Sequence, residues 1–128
     1  MTATDHAVRL VRIAALAAAD KLATDQLAFD VSEQLAITDA FLLATGANDR
    51  QVRAIVEEIE DKLREIDAKP IRREGHRDGR WVLLDYGDVV IHVQHAEERE
   101  FYALERLWRD CPTIDLPAEV DGASPEGE

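Results

Sequence analysis

The stretch GRWVLLDYGDVVIHV, residues 79–93, restricts the fold of this chain more than any other. Two runs of alternating residues flank Gly87-Asp88, the pattern of a β-hairpin closed by a two-residue turn. Glycine at the first central position supplies the positive φ that a type II′ turn requires. Such a turn sets the pairing. Tyr86 faces Val89, Leu84 faces Ile91 and Val82 faces Val93, giving one face that is apolar apart from a phenol and is expected against the core. The opposite face pairs Asp85 with Val90, Leu83 with His92 and Trp81 with Gln94. It mixes a tryptophan and two aliphatics with three polar groups. A face of this kind is either half covered by another element or offered to a partner, for which tryptophan provides a large contact area and a hydrogen-bonding edge. A slip of one residue in the pairing would exchange the two faces.

The rest of the chain supplies elements to pack on this hairpin. Residues 5–23 have the periodicity of a helix, with Val8, Val11, Ala15, Ala18 and Leu22 on one stripe, widened by Leu10, Ile13, Ala14 and Ala17. The alanines suit close packing on a neighbour. Residues 26–32 and 38–45 have strand patterns, the second ending at Gly46. Asn48 has the place of an N-cap, with Gln51 at capping-box spacing. Val52, Ile55, Val56, Ile59, Leu63 and Ile66 then form a long stripe, predicting a helix to about residue 68 that Pro70 terminates. Residues 71–75 suit a short strand. Residues 97–109 suit a short helix with Phe101, Leu104, Leu107 and Trp108 on its inner side. The order is helix, two strands, helix, three strands, helix. It predicts a single α/β (α+β) domain over residues 1–114, with helices packed on a mixed five-stranded sheet. Residues 115–128 hold five acids and no base, and are expected to be an acidic disordered tail.

Charge narrows the possible partners. The 128 residues carry a formal net charge of −12, so nucleic-acid phosphates repel the chain at long range and a basic protein is the better partner. The run RREGHRDGR, residues 72–80, holds four arginines interrupted by Glu74 and Asp78. It is a solvated loop first and a minor rRNA contact beside a protein partner second. The longest apolar run, residues 13–19, is too short to span a bilayer, and no basic flank precedes an apolar stretch at the amino terminus, so neither membrane insertion nor secretion is expected. Cys111 is the only cysteine, which suits a cytoplasmic setting.

The chemistry-bearing residues fail as catalytic sets. His92 and His95 project to opposite faces of a strand and cannot share an ion with Glu98, so no metal is expected. Asp85 and Asp88 flank a tight turn, and turn chemistry explains DYGD. The loop TGAND, residues 45–49, lacks the lysine and glycines of a phosphate-binding loop. Cys111 and Ser32 have no evident activating base. No cofactor and no enzymatic activity are expected. The alternatives are a nucleotidyltransferase-like enzyme and a dimeric adaptor.

Several segments together resemble the ribosomal silencing factor family, also called the Iojap family. They are DVSEQLAITDAFLLATGANDRQVRAI at 30–55, EG at 74–75, WVLLDYGDVVIHV at 81–93 and EREFYALERLW at 98–108. The family's aromatic followed by an acid-glycine-acid turn corresponds here to Trp81, Asp85, Gly87 and Asp88. The resemblance implies a nucleotidyltransferase-like fold without catalysis. It also implies a translational repressor that binds the large ribosomal subunit through ribosomal protein L-fourteen, blocks joining of the small subunit and damps translation under nutrient limitation and in stationary phase. Some members form homodimers when free. Combined with the hairpin, this gives an expected partner-binding set of Trp81, Leu83, Asp85, Asp88, Val90 and His92, joined by Arg99 and Tyr102 on the following helix. Thr38, Asp39 and Gln51 are expected to stabilise the strand-to-helix crossover instead.

Overall fold

The computed structural model describes residues 2–122. The elements follow in the order α1 (Asp5–Asp20), β1 (Thr24–Asp30), β2 (Ala40–Gly46), α2 (Asp49–Arg64), β3 (Arg72–Glu74), β4 (Trp81–Asp85), β5 (Val89–His95), α3 (Ala96–Tyr102), a 3₁₀ turn (Leu104–Arg106) and α4 (Ala118–Gly122). The five strands form one sheet in the order β1-β2-β5-β4-β3. β2 and β5 run parallel and the other three ladders are antiparallel, so the sheet is mixed as expected.

The hairpin register follows from its turn. Trp81 pairs with Gln94, Val82 with Val93, Leu83 with His92, Leu84 with Ile91 and Asp85 with Val90. Gly87 has φ +85°, the left-handed conformation that costs glycine little, and its N–H donates to Asp85 Oδ1 at 2.8 Å. Asp85 is thus a turn-forming residue in its own right.

Two helices close one face of the sheet. Val82, Leu84, Ile91 and Val93 of the hairpin and Leu42 of β2 are fully buried there against Leu10, Val11 and the alanines of α1 and against Val52, Ile55, Val56, Ile59 and Leu63 of α2. Each such aliphatic contributes roughly 1.5–3 kcal/mol by leaving water. Thr4 Oγ1 caps α1 by accepting from Ala7 N, and Asn48 Oδ1 caps α2 by accepting from Gln51 N at 2.8 Å. Gln51 also secures the crossover as expected. Its Oε1 accepts from Ala47 N, and its Nε2 donates to the carbonyls of Lys21 and Leu22. Asp39 Oδ2 accepts from Thr4 N, and Thr38 is buried.

Both long helices stop earlier than their apolar stripes predict. α1 ends at Asp20, because Leu22 takes φ 65° and swings out to 66% exposure. α2 ends at Arg64, because Asp67 takes φ 63° and Ala68 N turns back to Leu63 O. In both cases a left-handed residue satisfies the last carbonyls before any proline or glycine is reached.

The expected disordered tail does not begin at residue 115. Asp30 N donates to Pro112 O and Ile114 N to Ala28 O, with Phe29 bridged to Thr113, so the chain runs along β1. Ile114 and Leu116 pack against the main core, and Val120 of α4 is 7% exposed beside α1. Three apolar residues spaced through an acidic stretch outweigh its overall polarity. Residues 123–128 of the expected tail lie outside the described residues.

Candidate docking surface

The other face of the sheet is built from different material. Phe29 and Leu43 meet Val31 and Cys111, with Leu35, Phe41, Leu104 and Trp108 packed alongside. This small cluster covers β1 and β2 only. Over β4 and β5, Trp81, Leu83, Asp85 and Val90 remain half-buried. The hairpin face that alternation makes mixed is therefore only partly covered: His92 and Gln94 are buried, and the other four positions stay partly open.

A ribbon of rings crosses the boundary between the covered and open halves. Phe101 meets Tyr102 edge-on with ring centres 4.9 Å apart, and Tyr102 lies 4.8 Å from Trp81. Trp81 donates its indole N–H to His92 Nδ1 at 3.1 Å. His92 in turn packs edge-on against Phe41, which meets Trp108 at 5.0 Å. Such tilted contacts add to the stabilisation from burial alone. The ribbon ends in solvent, with Phe101 at 80% and Tyr102 at 50% exposure.

Backbone geometry holds Trp81 in place. Gly75 has φ +82°, and a Cβ there would lie 2.0 Å from the Trp81 carbonyl oxygen, so only glycine lets the 75–80 loop lie against the start of β4. Arg80 N–H groups reach Glu98 at 2.7 Å and Glu97 at 2.9 Å, tying the loop to α3. His95 caps α3 by accepting from Glu97 N, a structural use for a residue that had invited a metal reading.

The expected contact residues divide into two groups. Trp81, Leu83, Asp85 and Val90 share the open face, Asp88 is exposed at the turn beside it, and Tyr102 borders it. His92 and Arg99 are buried at 8% and 7% exposure and are not part of the exposed surface. Burial depresses the His92 imidazole to about 4, so it stays neutral and accepts the indole proton. Arg99 faces inward, donating to Thr45 Oγ1 and Glu105 Oε1.

For Arg99 the reason is a bend that the sequence did not announce, and for His92 it is the cover of Trp81 and Phe41. α3 ends at Tyr102 because Ala103 adopts φ 47°, so the expected continuous helix to residue 109 is broken into two arms. Phe101 and Leu107, expected on its inner side, are instead 80% and 71% exposed.

The arginine run is largely committed within the chain. Arg73 binds Glu60 at 3.0 Å, Arg72 lies near Glu74 and Asp85, and Arg80 is paired as above. Among the described residues no group of three or more His, Cys, Asp or Glu side chains is arranged to hold a metal, and no helix is long and apolar enough to cross a membrane.

Residues 4–127 match the family model described as "Ribosomal silencing factor during starvation". The chain belongs to the ribosomal silencing factor family. A Bacillus subtilis ribosomal silencing factor is 46% identical over 84% of this chain and 91% of its own. The chloroplastic protein Iojap of Zea mays is 33% identical over 83% of this chain and 46% of its own. A crystal structure of a Chromobacterium violaceum protein superposes with a TM-score of 0.76 at 35% identity, covering 79% of this chain and 84% of that one. Membership assigns the chain a role in translation regulation at the ribosome, and the family's name is that of a regulatory factor rather than an enzyme.

Proposed function

We propose that this chain is a non-enzymatic translational repressor acting in the cytoplasm. It docks the open half of its sheet onto the large ribosomal subunit, through the basic ribosomal protein L-fourteen, and sterically prevents the small subunit from joining. The supporting observation is the aromatic ribbon. It leaves Trp81 half-buried at the start of β4 with Tyr102 against it, on a mixed face whose other end, at the hairpin turn, carries Asp85 and Asp88. An accessible aromatic pair with charge at the margin of the same face suits a protein-binding hot spot. Asp88, exposed at the turn, and the chain's net charge of −12 steer a basic partner toward this face. Contact with rRNA is secondary in this reading, because Arg72, Arg73 and Arg80 already serve carboxylates of the chain itself.

The test is co-sedimentation of the purified chain with large subunits, followed by addition of small subunits. The expected result is binding and loss of reassociation. Complex formation with the isolated basic ribosomal protein, without RNA, identifies the partner. Absence of binding, or turnover of a nucleotide with Mg²⁺, would overturn the proposal.

A further inference from the structure

Tyr102 and Trp81 meet at a tilt because the arm carrying Tyr102 is held in one place, and one buried side chain bonds to both sides of the bend that sets it. Between residues 96 and 106 the only buried residue is Arg99. Its Nη1–H donates to Thr45 Oγ1 at 2.8 Å, which ties α3 to β2 across 54 residues of sequence. Its Nε–H donates to Glu105 Oε1 at 3.2 Å, which ties α3 to the 3₁₀ turn beyond the left-handed Ala103. One planar guanidinium thus fixes both arms of the bend, a task suited to the rigid fork of arginine and not to the point charge of lysine.

On its outer side α3 is also held by Arg80, which binds Glu97 and Glu98, but those bonds lie at the first turn and do not reach across the bend at Ala103. Phe101 and Leu107 face solvent. Gln94, on the outer face of β5, is fully buried, yet neither its amide nitrogen nor its amide oxygen has a hydrogen-bond partner. The seat is polar, and the arginine fork supplies its specific bonds.

We propose that Arg99 is a positioning residue for docking. It does not touch the partner. It presets α3 so that Tyr102 lies against Trp81 before the partner arrives, and the preformed pair binds without first having to be ordered. This inference rests on the docking reading above.

A double-mutant cycle separates positioning from contact. Affinity for purified large subunits is measured for the native chain, Arg99→Met, Tyr102→Ala and the double variant, each corrected for its folded fraction. If Arg99 acts through Tyr102, Arg99→Met weakens binding about tenfold in the native background but less than about twofold when Tyr102 is already alanine. Equal losses in both backgrounds, or no loss in either, overturn the inference. Should Arg99→Met fold poorly, Thr45→Val removes the buried acceptor at nearly constant shape and is put through the same cycle. Failure of the native chain to bind rejects the docking reading itself, whereas a Tyr102→Ala variant that binds as the native chain does rejects this inference and leaves the docking reading, which Trp81 carries, standing. Loss in Tyr102→Ala with additive effects of Arg99→Met rejects this inference alone.

Discussion

The two faces of one five-stranded sheet have opposite characters. The face beneath α1 and α2 is aliphatic and alanine-rich, and its hairpin residues Val82, Leu84, Ile91 and Val93 are wholly shielded. The face beneath α3 and the 104–111 segment is aromatic and polar, and its Trp81, Leu83, Asp85 and Val90 are only half-buried while His92 and Gln94 are covered. Side chains alternating along the same strands feed both. The difference teaches that stability and recognition are separated by strand parity: neighbours in sequence serve different tasks, and a substitution at one position should leave the other task untouched.

The separation can be broken most forcefully at Leu84. Leu84→Ala empties a fully buried site and is expected to lower stability by about 2–5 kcal/mol in chemical unfolding, while the fraction still folded binds large subunits with native affinity. Reduced affinity per folded molecule would show that the faces are coupled.

Acid provides the next largest effect, on the outer face. His92 titrates at about 4 when folded because burial disfavours its charged form, against the ordinary value of about 6.5 when unfolded. Between these values the unfolded chain binds the extra proton, so stability falls as pH drops from about 6.5 to about 4, by roughly 3 kcal/mol in all. Unfolding midpoints measured across that window should show a slope that His92→Leu flattens. An unchanged slope would mean that the imidazole is not shielded beneath the ring ribbon.

Trp81→Ala tests recognition itself. It is expected to cost at least ~2 kcal/mol of binding, about thirtyfold in affinity, with an unchanged far-ultraviolet circular dichroism spectrum. Collapse of the fold would place Trp81 with the core. The smallest expected change is a gain. Gln94→Met replaces a buried amide lacking partners with an apolar side chain of similar size, and should raise stability by about 1 kcal/mol in thermal or denaturant unfolding.

Local patterns made the first of these faces legible in the sequence. The Gly87-Asp88 turn fixed the hairpin register without any distant contact, and the Asn48 cap and the apolar stripe located α2. The candidate site was legible in part. Trp81, Leu83, Asp85 and Val90 share the open face as expected, since strand alternation decides that. Arg99 and His92 were misplaced for reasons outside local pattern. Arg99 is buried by a threonine 54 positions away, and alanine at position 103 carries no mark of its left-handed turn. The early ends of α1 and α2 have the same cause at Leu22 and Asp67. The folded segment 115–122 was hidden by its acids, although Leu116 and Val120 were visible within it.

The segment beside β1 has a consequence for how such a sheet stays in solution. A sheet has two lateral borders, and an unoccupied border recruits strands from other molecules. Here the chain's own return from Pro112 to Ile114 covers the Ala28–Asp30 end of one border, and the other is a stub of three exposed residues, Arg72, Arg73 and Glu74. These covers shorten the borders at which another molecule's strand could add beside the aromatic surface. A chain cut before Pro112 should lose that protection and form aggregates rich in intermolecular β-structure.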